Sequence, residues 1–216
     1  FMMSTVGDAM KLRSAIISRL EEANLTEDPE VRRRLLSFAV VGGGYSGVET
    51  AAQMVDLLHF ACRYYRHIRL EDCRVSLIHS REVLLPTLSE KLGRYTAKVL
   101  GARGIHLILG KRVKTVTSRR VYLEDGESIV SHTVVCTIGN APHPLVSSVA
   151  EQLDAPMDKG LINAGADCRV PGADTIWAAG DCANVPLVSG GWCPATAQFA
   201  MRQGKLAGKN IADVLR

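Results

Sequence analysis

A cluster of glycines is the feature of this sequence that most clearly implies chemistry. Residues 38–50, FAVVGGGYSGVET, run from an apolar segment through Gly42, Gly44 and Gly47 into a second segment of small and apolar residues. Glycines at this spacing, between a strand and a helix, allow a tight turn, a close approach of backbone to a pyrophosphate, and close packing of helix on strand. The free amides of the first helical turn favour the phosphate charge. We expect a dinucleotide to bind along this loop, at Gly42, Gly43, Gly44, Tyr45, Ser46 and Gly47.

The end of the next strand bears on which dinucleotide is bound. In folds of this kind a carboxylate there binds the hydroxyls of the adenosine ribose. Here the segment is VSLIHSRE, so His79, Ser80 and Arg81 occupy that place and the first acid is Glu82. Ser80 and Arg81 suit the 2′-phosphate of NADPH, whereas His79 and Glu82 suit the free ribose of NADH. Both interpretations stay open at this point, and NADH is favoured.

The elements that position these residues predict an α/β fold. Apolar periodicity and short buried runs indicate helices over 5–23, from Pro29, over 46–66 and over 89–103, and strands at Ser37–Val41, at 105–109 and ending at His79. Strands and helices that alternate in this order form a Rossmann-like parallel sheet with helices on both faces.

The pattern changes after the third strand. Residues 112–139 contain short strands without helices between them, and EDGES, residues 124–128, is typical of a hairpin turn. We therefore expect an antiparallel β-meander inserted before the last strand of the sheet. After it we expect irregular chain from Pro142 and Pro144, short strands at 161–163 and 175–178, and a final helix from Pro194 to Arg216.

Composition excludes several classes of function. A net charge of +4 over 216 residues gives no argument for nucleic acid. None of the six cysteines forms a C-x-x-C pair, so we expect neither a redox dithiol nor a metal site, and such spacings are typical of reduced thiols in an intracellular chain. No apolar stretch reaches the roughly 18–20 residues of a membrane span, and the first residues lack the pattern of a signal peptide.

Four stretches of the sequence together resemble a known family. They are VVGGGYSGVETA, VSLIHSREVLLPTLSEKLGRYTAKVL, IWAAGDCANVP and PATAQFAMRQGKLAGKNI. They are similar to the FAD-dependent pyridine nucleotide-disulfide oxidoreductases with two dinucleotide-binding domains, and most of all to the type II NADH:quinone dehydrogenases. The glycine motif is widespread, whereas AAGDCA and ATAQFAxxQG are much more specific.

The resemblance implies an FAD domain interrupted by an inserted NAD(P)H domain. We expect crossover helices of the FAD domain at residues 1–36, the Rossmann-like NAD(P)H domain at 37–145, and the later part of the FAD domain at 146–216. The FAD domain of the family begins with a glycine fingerprint of its own, but only Gly7 precedes Gly42 here. The resemblance therefore implies a fragment of a longer enzyme, without that fingerprint and without the family's C-terminal membrane-associating helices.

The resemblance also implies roles for residues of the second half. Gly180 and Asp181, in AAGDC, match a segment whose aspartate binds the ribityl chain of FAD. Ala197 lies in the first turn of the final helix, whose amides face the flavin in the family. Gln198 matches the first glutamine of the quinone-site motif A-Q-x-A-x-Q, whereas Arg202 stands where the second glutamine is expected.

Two further residues are matched near the nicotinamide. Glu49 corresponds to a glutamate that could orient the carboxamide or tune proton delivery. Gly139 corresponds to a glycine at a strand end, over which the nicotinamide half passes. Glu49 and Gln198 are the expected catalytic residues.

The implied reaction is that of an FAD-dependent NADH dehydrogenase, in which hydride passes from NAD(P)H to FAD and the electrons leave to a quinone. We expect the fragment alone to be inactive and to keep at most traces of flavin. Two alternatives stay open: a ferredoxin- or redoxin-type reductase, for which Arg202 leaves room, and a module that binds NAD(P)H without turnover. The full-length protein is expected in the cytoplasm, peripheral to the inner face of the cell membrane, where it could form a homodimer.

Overall fold

The computed structural model describes residues 1–3, 5–139 and 142–216, and the chain divides between 140 and 141 into two compact units. Ser4, Asn140 and Ala141 lie outside the described residues. The helices of the described chain are α1 (Val6–Leu25), α2 (Pro29–Leu35), α3 (Tyr45–Ala61), α4 (Glu90–Ala102), α5 (Pro144–Leu153) and α6 (Ala197–Val214). The strands are β1 (Ser37–Val41), β2 (Arg74–Ile78), β3 (His106–Ile108), β4 (Val113–Val116), β5 (Arg120–Leu123), β6 (Ser128–Val130), β7 (Thr133–Cys136), β8 (Met157–Asp158), β9 (Leu161–Asn163) and β10 (Ala183–Asn184).

A four-stranded parallel sheet is the centre of the first unit. Its strand order is β3-β2-β1-β7, and β1 pairs in parallel with both β2 and β7. All five residues of β1 are buried. This agrees with its unbroken run of mostly apolar residues, which is typical of a parallel strand covered on both faces. The parallel sheet predicted from the alternation of strands and helices is confirmed.

The two faces of this sheet are covered differently. Phe38 and Val40 of β1 join one hydrophobic core with residues of α1, α2, α3 and α4. Ala39 and Val41, which alternate with them and point the other way, join a second core with residues of β5. Helices were expected on both faces. In the first unit the meander covers the second face, because the chain passes from β3 to β7 through that meander and not through a crossover helix.

The meander is a three-stranded antiparallel sheet in the order β4-β5-β6. Gly126, with a φ of +90°, lies in the turn between β5 and β6, where the left-handed region favours glycine. Lys111, just before β4, forms ion pairs with Asp125 of this turn and with Glu127 (3.2 Å). The predicted insertion and its hairpin are therefore confirmed, and Lys111 connects the hairpin to the end of the parallel sheet.

The second unit contains a smaller sheet in the order β10-β9-β8. In it β8 and β9 are antiparallel, whereas β9 and β10 are parallel. The strand predicted at residues 161–163 is β9. The strand predicted at 175–178 is wrong, since Trp177 forms only an isolated bridge with Arg169 in a segment of turns.

Two prolines of the second unit act differently from the prediction. Pro144 does not open irregular chain but begins α5, because a proline at the first helical position loses no hydrogen bond and its fixed φ suits the helix. The final helix does not begin at Pro194. Thr196 is its N-cap, with extended backbone, and α6 begins at Ala197.

The long helix α3 is shorter than predicted. It ends at Ala61 rather than near Arg66, and two short 3-10 turns, Cys62–Tyr64 and Leu70–Asp72, lead the chain to β2. None of the helices in the described ranges combines the length and the apolar character needed to cross a membrane.

Candidate functional site

The glycine loop joins β1 to α3 through backbone that favours glycine. Gly42 has a φ of +121°, and its N–H donates to the Ile78 carbonyl (2.9 Å) at the end of β2. Gly44 is the N-cap of α3. Because glycine has no side chain to accept a hydrogen bond, the amides of the first helical turn are left without a capping side chain. A Cβ at Gly44 would meet nothing within 4 Å, so the loop is open at this point.

Gly47 and Thr137 hold the loop close to the sheet. A Cβ at Gly47 would collide with the carbonyl oxygen of Gly42, so this approach of helix and loop needs a glycine. The Thr137 hydroxyl donates to the Val41 carbonyl (3.0 Å) and lies beside both glycines. Sequence reasoning missed Thr137, because it lies 96 positions from Val41 and belongs to no local motif.

A cavity of about 550 Å³ opens at the carboxyl edge of the parallel sheet. The strand order reverses here: from β1 the chain passes through α3 to β2 on one side, and β7 later pairs with β1 on the other side. Open α/β sheets bind their ligands at such a reversal of strand order. The residues that line the cavity include Gly42, Gly43, Gly44, His79, Ser80, Lys111, Arg112, Glu124, Thr137 and Ile138.

His79 follows β2 and packs on the glycine loop. Its Nδ1 accepts the Gly43 N–H (3.1 Å), and a Cβ at Gly43 would lie 2.5 Å from the ring. Accepting that bond places the proton of a neutral ring on Nε2. Burial, and next the charge of Arg81, lower the pKa of His79, which favours the neutral ring. Nε2 is buried and has no hydrogen-bond partner among the described residues.

The three residues after His79 meet the cavity differently. Ser80, Arg81 and Glu82 are all exposed, but only Ser80 is among the residues that line the cavity. The Glu82 carboxylate lies against Gly110, in the segment that follows β3. The first acid after β2 is therefore turned to the neighbouring loop and not to the cavity.

Two cations that sequence reasoning missed line the same cavity. The Lys111 N–H donates to the His79 carbonyl (3.0 Å), which fixes the start of the meander next to the end of β2. Arg112 pairs with Glu124 across 3.7 Å. Neither residue lies in a motif. Both follow the end of β3, which pairs with β2 and so reaches the same carboxyl edge of the parallel sheet as His79.

Ser46 and Glu49 line a different cavity. It has a volume of about 540 Å³ and lies between α1 and α3, with apolar walls that include Leu12 and Ile16. Glu49 is exposed there, one turn into α3. Among the predicted site residues the structure thus groups the first glycines with His79 and Ser80, and it places Glu49 outside that group.

The remaining predicted residues of the first unit lie at the borders of the glycine loop. The Tyr45 hydroxyl accepts a hydrogen bond from the Thr87 hydroxyl (3.4 Å). Gly139 follows β7, is exposed, and has a φ of +81°. It is separated by one residue from Thr137, which lines the cavity.

In the second unit, Gly180 and Asp181 form a turn that α6 holds in place. Gly180 has a φ of +72°, and its N–H donates to Oε1 of Gln203 (2.8 Å), a buried residue of α6. Asp181 is exposed. A cavity of about 20 Å³ separates this turn from the segment before α6. Since a water molecule fills a space of that size, any larger ligand would contact the turn from outside.

The start of α6 presents backbone amides rather than a capping side chain. Thr196, its N-cap, makes no side-chain hydrogen bond to the first turn, and Ala197 is exposed. Gln198 and Arg202 are exposed as well, whereas Gln203 points inward. No sequence signal indicated the role of Gln203, because its partner Gly180 lies 23 positions away.

These features define a class of protein: an α/β dinucleotide-binding unit with an open glycine loop, followed by a second unit with an exposed aspartate turn. The family described as pyridine nucleotide-disulphide oxidoreductase matches residues 4–204. The chain belongs to that family.

Relatives in this family are about twice as long or longer. The type II NADH:quinone oxidoreductase Ndh of Mycobacterium tuberculosis is 32% identical over 215 residues, which is 97% of this chain and 45% of that protein. The mitochondrial internal alternative NAD(P)H-ubiquinone oxidoreductase A1 of Arabidopsis thaliana is 34% identical over 93% of this chain and 39% of its own length. The chain therefore spans less than half of the length of these relatives.

Solved structures show the same fold. The structure of NDH2 from Plasmodium falciparum in complex with NADH matches with a TM-score of 0.74 and 22% identity, over 86% of this chain and 39% of that one. A ferredoxin reductase from Rhodopseudomonas palustris matches with a TM-score of 0.62 and 20% identity, over 81% of this chain and 41% of that one.

Proposed function

We propose that this chain is part of an FAD-dependent NAD(P)H dehydrogenase that passes hydride from NAD(P)H to FAD and electrons on to a quinone. Membership of the family supports this proposal, as do the NADH and quinone named for the relatives. Within the longer protein we assign residues 1–36 to crossover helices of the FAD domain. Residues 37–145 form the NAD(P)H domain, and residues 146–216 the later part of the FAD domain.

The observation that carries the proposal is the uncapped first turn of α3, next to the cavity of about 550 Å³ at the carboxyl edge of the parallel sheet. The aligned peptide dipoles give this helix start a partial positive charge, and its free amides are donors for a pyrophosphate. Residues 42–47 would hold that pyrophosphate. His79 and Ser80 would hold the adenosine ribose, and Gly139 would contact the nicotinamide half.

The second unit fits one part of a flavin site. Asp181 is an exposed carboxylate on a turn that Gln203 fixes, and it suits the hydroxyl groups of a ribityl chain. The first-turn amides of α6, from Ala197, carry partial positive charge and would face the pyrimidine edge of the flavin. When bound, FAD supplies the hydride acceptor and the two-electron carrier between NAD(P)H and the quinone.

Two exposed side chains are assigned to the substrates. Glu49, one turn into α3, would orient the carboxamide of the nicotinamide or deliver a proton. Gln198, in the first turn of α6, would donate a hydrogen bond to a quinone carbonyl. Both are free to meet a ligand, because the solvent reaches them in the structure.

An anaerobic spectral titration of the full-length protein tests the proposal. We expect a flavin absorbance band that NADH bleaches and that a water-soluble ubiquinone analogue restores. The Gly44→Ala variant should keep the band but be bleached more slowly, since the added methyl group stands where the pyrophosphate approaches. A protein with bound flavin that neither NADH nor NADPH reduces would contradict the proposal.

Arg202 favours a second candidate for the acceptor. It is an exposed cation on α6, where a quinone motif would have glutamine, and it suits an acidic protein such as a ferredoxin or a redoxin. The same reduced protein decides between the two. Reoxidation by a ferredoxin faster than by the ubiquinone analogue would select the second candidate.

A quinone acceptor also bears on where the full-length protein works. Because quinones dissolve in the lipid bilayer, we place the protein on the cytoplasmic side, peripheral to the inner face of the cell membrane, as a monomer or a homodimer. Flotation of the full-length protein with liposomes tests the association. Recovery in the unbound fraction at all lipid concentrations would contradict it.

A further inference from the structure

Two cysteines that no sequence motif connects lie side by side at the amino edge of the parallel sheet. Cys62 is the C-cap of α3, and Cys73 directly precedes β2. Their Sγ atoms are 3.8 Å apart, although eleven positions separate them in the chain. All six cysteines belong to the part of the chain that the structure describes, and this is the one pair among them whose sulfurs are in contact.

The backbone on both sides holds the two sulfurs together. The Cys62 N–H donates to the Leu58 carbonyl at the end of α3, and the Cys73 N–H donates to the Leu70 carbonyl (3.0 Å). Two short 3-10 turns order the segment between the two cysteines. The contact is therefore made by ordered chain that leads directly into a helix and a strand.

A pair of thiols at this distance could bind a metal ion or form a disulfide. A zinc site needs about four ligands, and in the described ranges no group of three or more histidine, cysteine, aspartate or glutamate side chains could hold a metal ion. A disulfide needs only these two sulfurs, which would close to about 2.05 Å. Burial raises the pKa of both thiols, so the pair keeps its protons at neutral pH until an oxidant reacts with it.

We propose that Cys62 and Cys73 are a modification site, at which hydrogen peroxide converts the two thiols into a reversible disulfide. The sulfur of Cys73, which is less buried than Cys62, attacks one peroxide oxygen and breaks the O–O bond, which leaves a sulfenic acid and one water molecule. The Cys62 sulfur then attacks the sulfenic sulfur, and a second water molecule leaves. One S–S bond replaces two S–H bonds, and the two electrons that the sulfurs lose reduce the peroxide.

This site lies at the other end of the sheet from the glycine loop. The helix α3 starts next to that loop and runs for 17 residues, or about 25 Å, before it reaches Cys62. Cys73 precedes β2, whereas His79 follows it. The disulfide would join the end of α3 to the start of β2, away from the residues assigned to the dinucleotide. The inference is therefore independent of the proposed function.

Peptide mapping of the full-length protein tests this inference. The protein is treated with hydrogen peroxide, its remaining thiols are alkylated, and it is digested with trypsin without reduction. Because trypsin cuts after Arg63 and Arg69, the two cysteines end on separate peptides unless a disulfide joins them. We expect mass spectrometry to find the peptide of Cys62 linked to that of Cys73, and dithiothreitol to separate the two.

Two single variants serve as controls. Cys73→Ser should abolish the linked peptides, whereas Cys136→Ser, which removes a cysteine outside the pair, should leave them unchanged. A peroxide-treated parent in which Cys62 and Cys73 are recovered as alkylated thiols, or as separate sulfinic acids, would overturn the inference. A disulfide that joins either residue to another cysteine would overturn it as well.

Discussion

At the scale of single residues, two glycines of the same motif serve different purposes: one allows close packing of α3, and the other keeps the loop open to a ligand. Gly47 has no room for a Cβ, because the carbonyl of Gly42 occupies that space, whereas Gly44 has nothing within 4 Å. Gly47 therefore serves the packing of α3 on the loop. Gly44 leaves the backbone open on the side from which a ligand arrives.

This difference predicts that alanine at Gly47 mainly lowers stability, whereas alanine at Gly44 mainly weakens dinucleotide binding. Gly47→Ala should lower the free energy of unfolding by about 1–3 kcal/mol, because the added methyl group forces the loop to shift. Gly44→Ala should lower it by less, about 0.5–1 kcal/mol, because alanine is a poorer N-cap than glycine but meets no atom here. Gly44→Ala should nevertheless weaken NADH binding about tenfold. Urea denaturation and NADH titration of both variants measure these effects, and equal losses of stability would contradict the separation.

His79 should make the stability of the first unit depend on pH. Burial, and next the charge of Arg81, lower its folded pKa, so folding favours the neutral ring. The stability gained in this way is present above the unfolded pKa of about 6.5 and is lost as the pH falls towards the lower folded pKa. The melting temperature should therefore decrease from about pH 7 to pH 5. His106 and His132 have pKa values shifted in the same direction and add to this decrease.

The variant His79→Gln isolates the part that His79 contributes. Glutamine cannot be protonated in this range, yet its side-chain oxygen can accept the Gly43 N–H. The melting temperature of the variant should therefore change less steeply with pH than that of the parent. Parallel thermal melts at several pH values provide the measurement, and identical slopes would argue against the assignment.

At the scale of elements, one side chain joins α6 to the aspartate turn. Gln203 is buried and accepts the Gly180 N–H at 2.8 Å. Gln203→Leu should lower the free energy of unfolding by about 1–3 kcal/mol, because the Gly180 N–H would lose its partner. Gln198→Leu, on the exposed side of the same helix, should change it by less than about 0.5 kcal/mol. Chemical denaturation compares the two, and equal effects would show that the bond to Gly180 contributes little.

The helix α1 offers a similar contrast upstream of the sheet. Leu20 is fully buried in the core beneath β1, whereas Leu25 is 81% exposed at the end of the same helix. Leu20→Ala should cost about 2–5 kcal/mol through the lost contacts and the remaining cavity. Leu25→Ala should cost less than about 0.5 kcal/mol. If denaturant midpoints of the two variants coincide, α1 is not part of the cooperative core.

Elements with a local pattern are the ones that the sequence predicts well. The apolar run of β1 and the 3.6-residue periodicity of α3 are local patterns. The strand β1 forms over the predicted residues, and α3 begins within one residue of the prediction but ends at Ala61 rather than near Arg66. The helix α5 was missed because Pro144 was treated as a breaker. Its cap is also unusual, since Nδ1 of His143 accepts the Leu145 N–H (3.2 Å) where a serine or aspartate is more common.

The same distinction applies to the site. The glycine loop is predictable because its requirements concern six consecutive residues. Lys111, Thr137 and Gln203 were not, because each acts through a partner that only the folded chain brings near. Gln203 lies 23 positions from Gly180, and Thr137 lies 96 positions from Val41. No pattern within one element encodes such pairs.

At the scale of the whole molecule, the two units carry different parts of the proposed reaction. Among the described residues, Thr137 and His79 shape the glycine loop, and both belong to the first unit. Gln203, which fixes the Asp181 turn, belongs to the second unit. Dinucleotide binding should therefore be a property of the first unit.

This division predicts how the chain responds to NADH. A ligand that binds only the folded state stabilises it by about 2.7 kcal/mol at a concentration of 100 times its dissociation constant, so the melting temperature should rise. Amide hydrogen exchange should slow at Tyr45, Ser46 and Gly47, whose N–H groups would donate to the pyrophosphate. Exchange in α6 should stay unchanged. Because a shift in melting temperature alone does not locate the ligand, the exchange pattern decides: protection confined to α6 would place the nucleotide on the second unit and contradict the assignment.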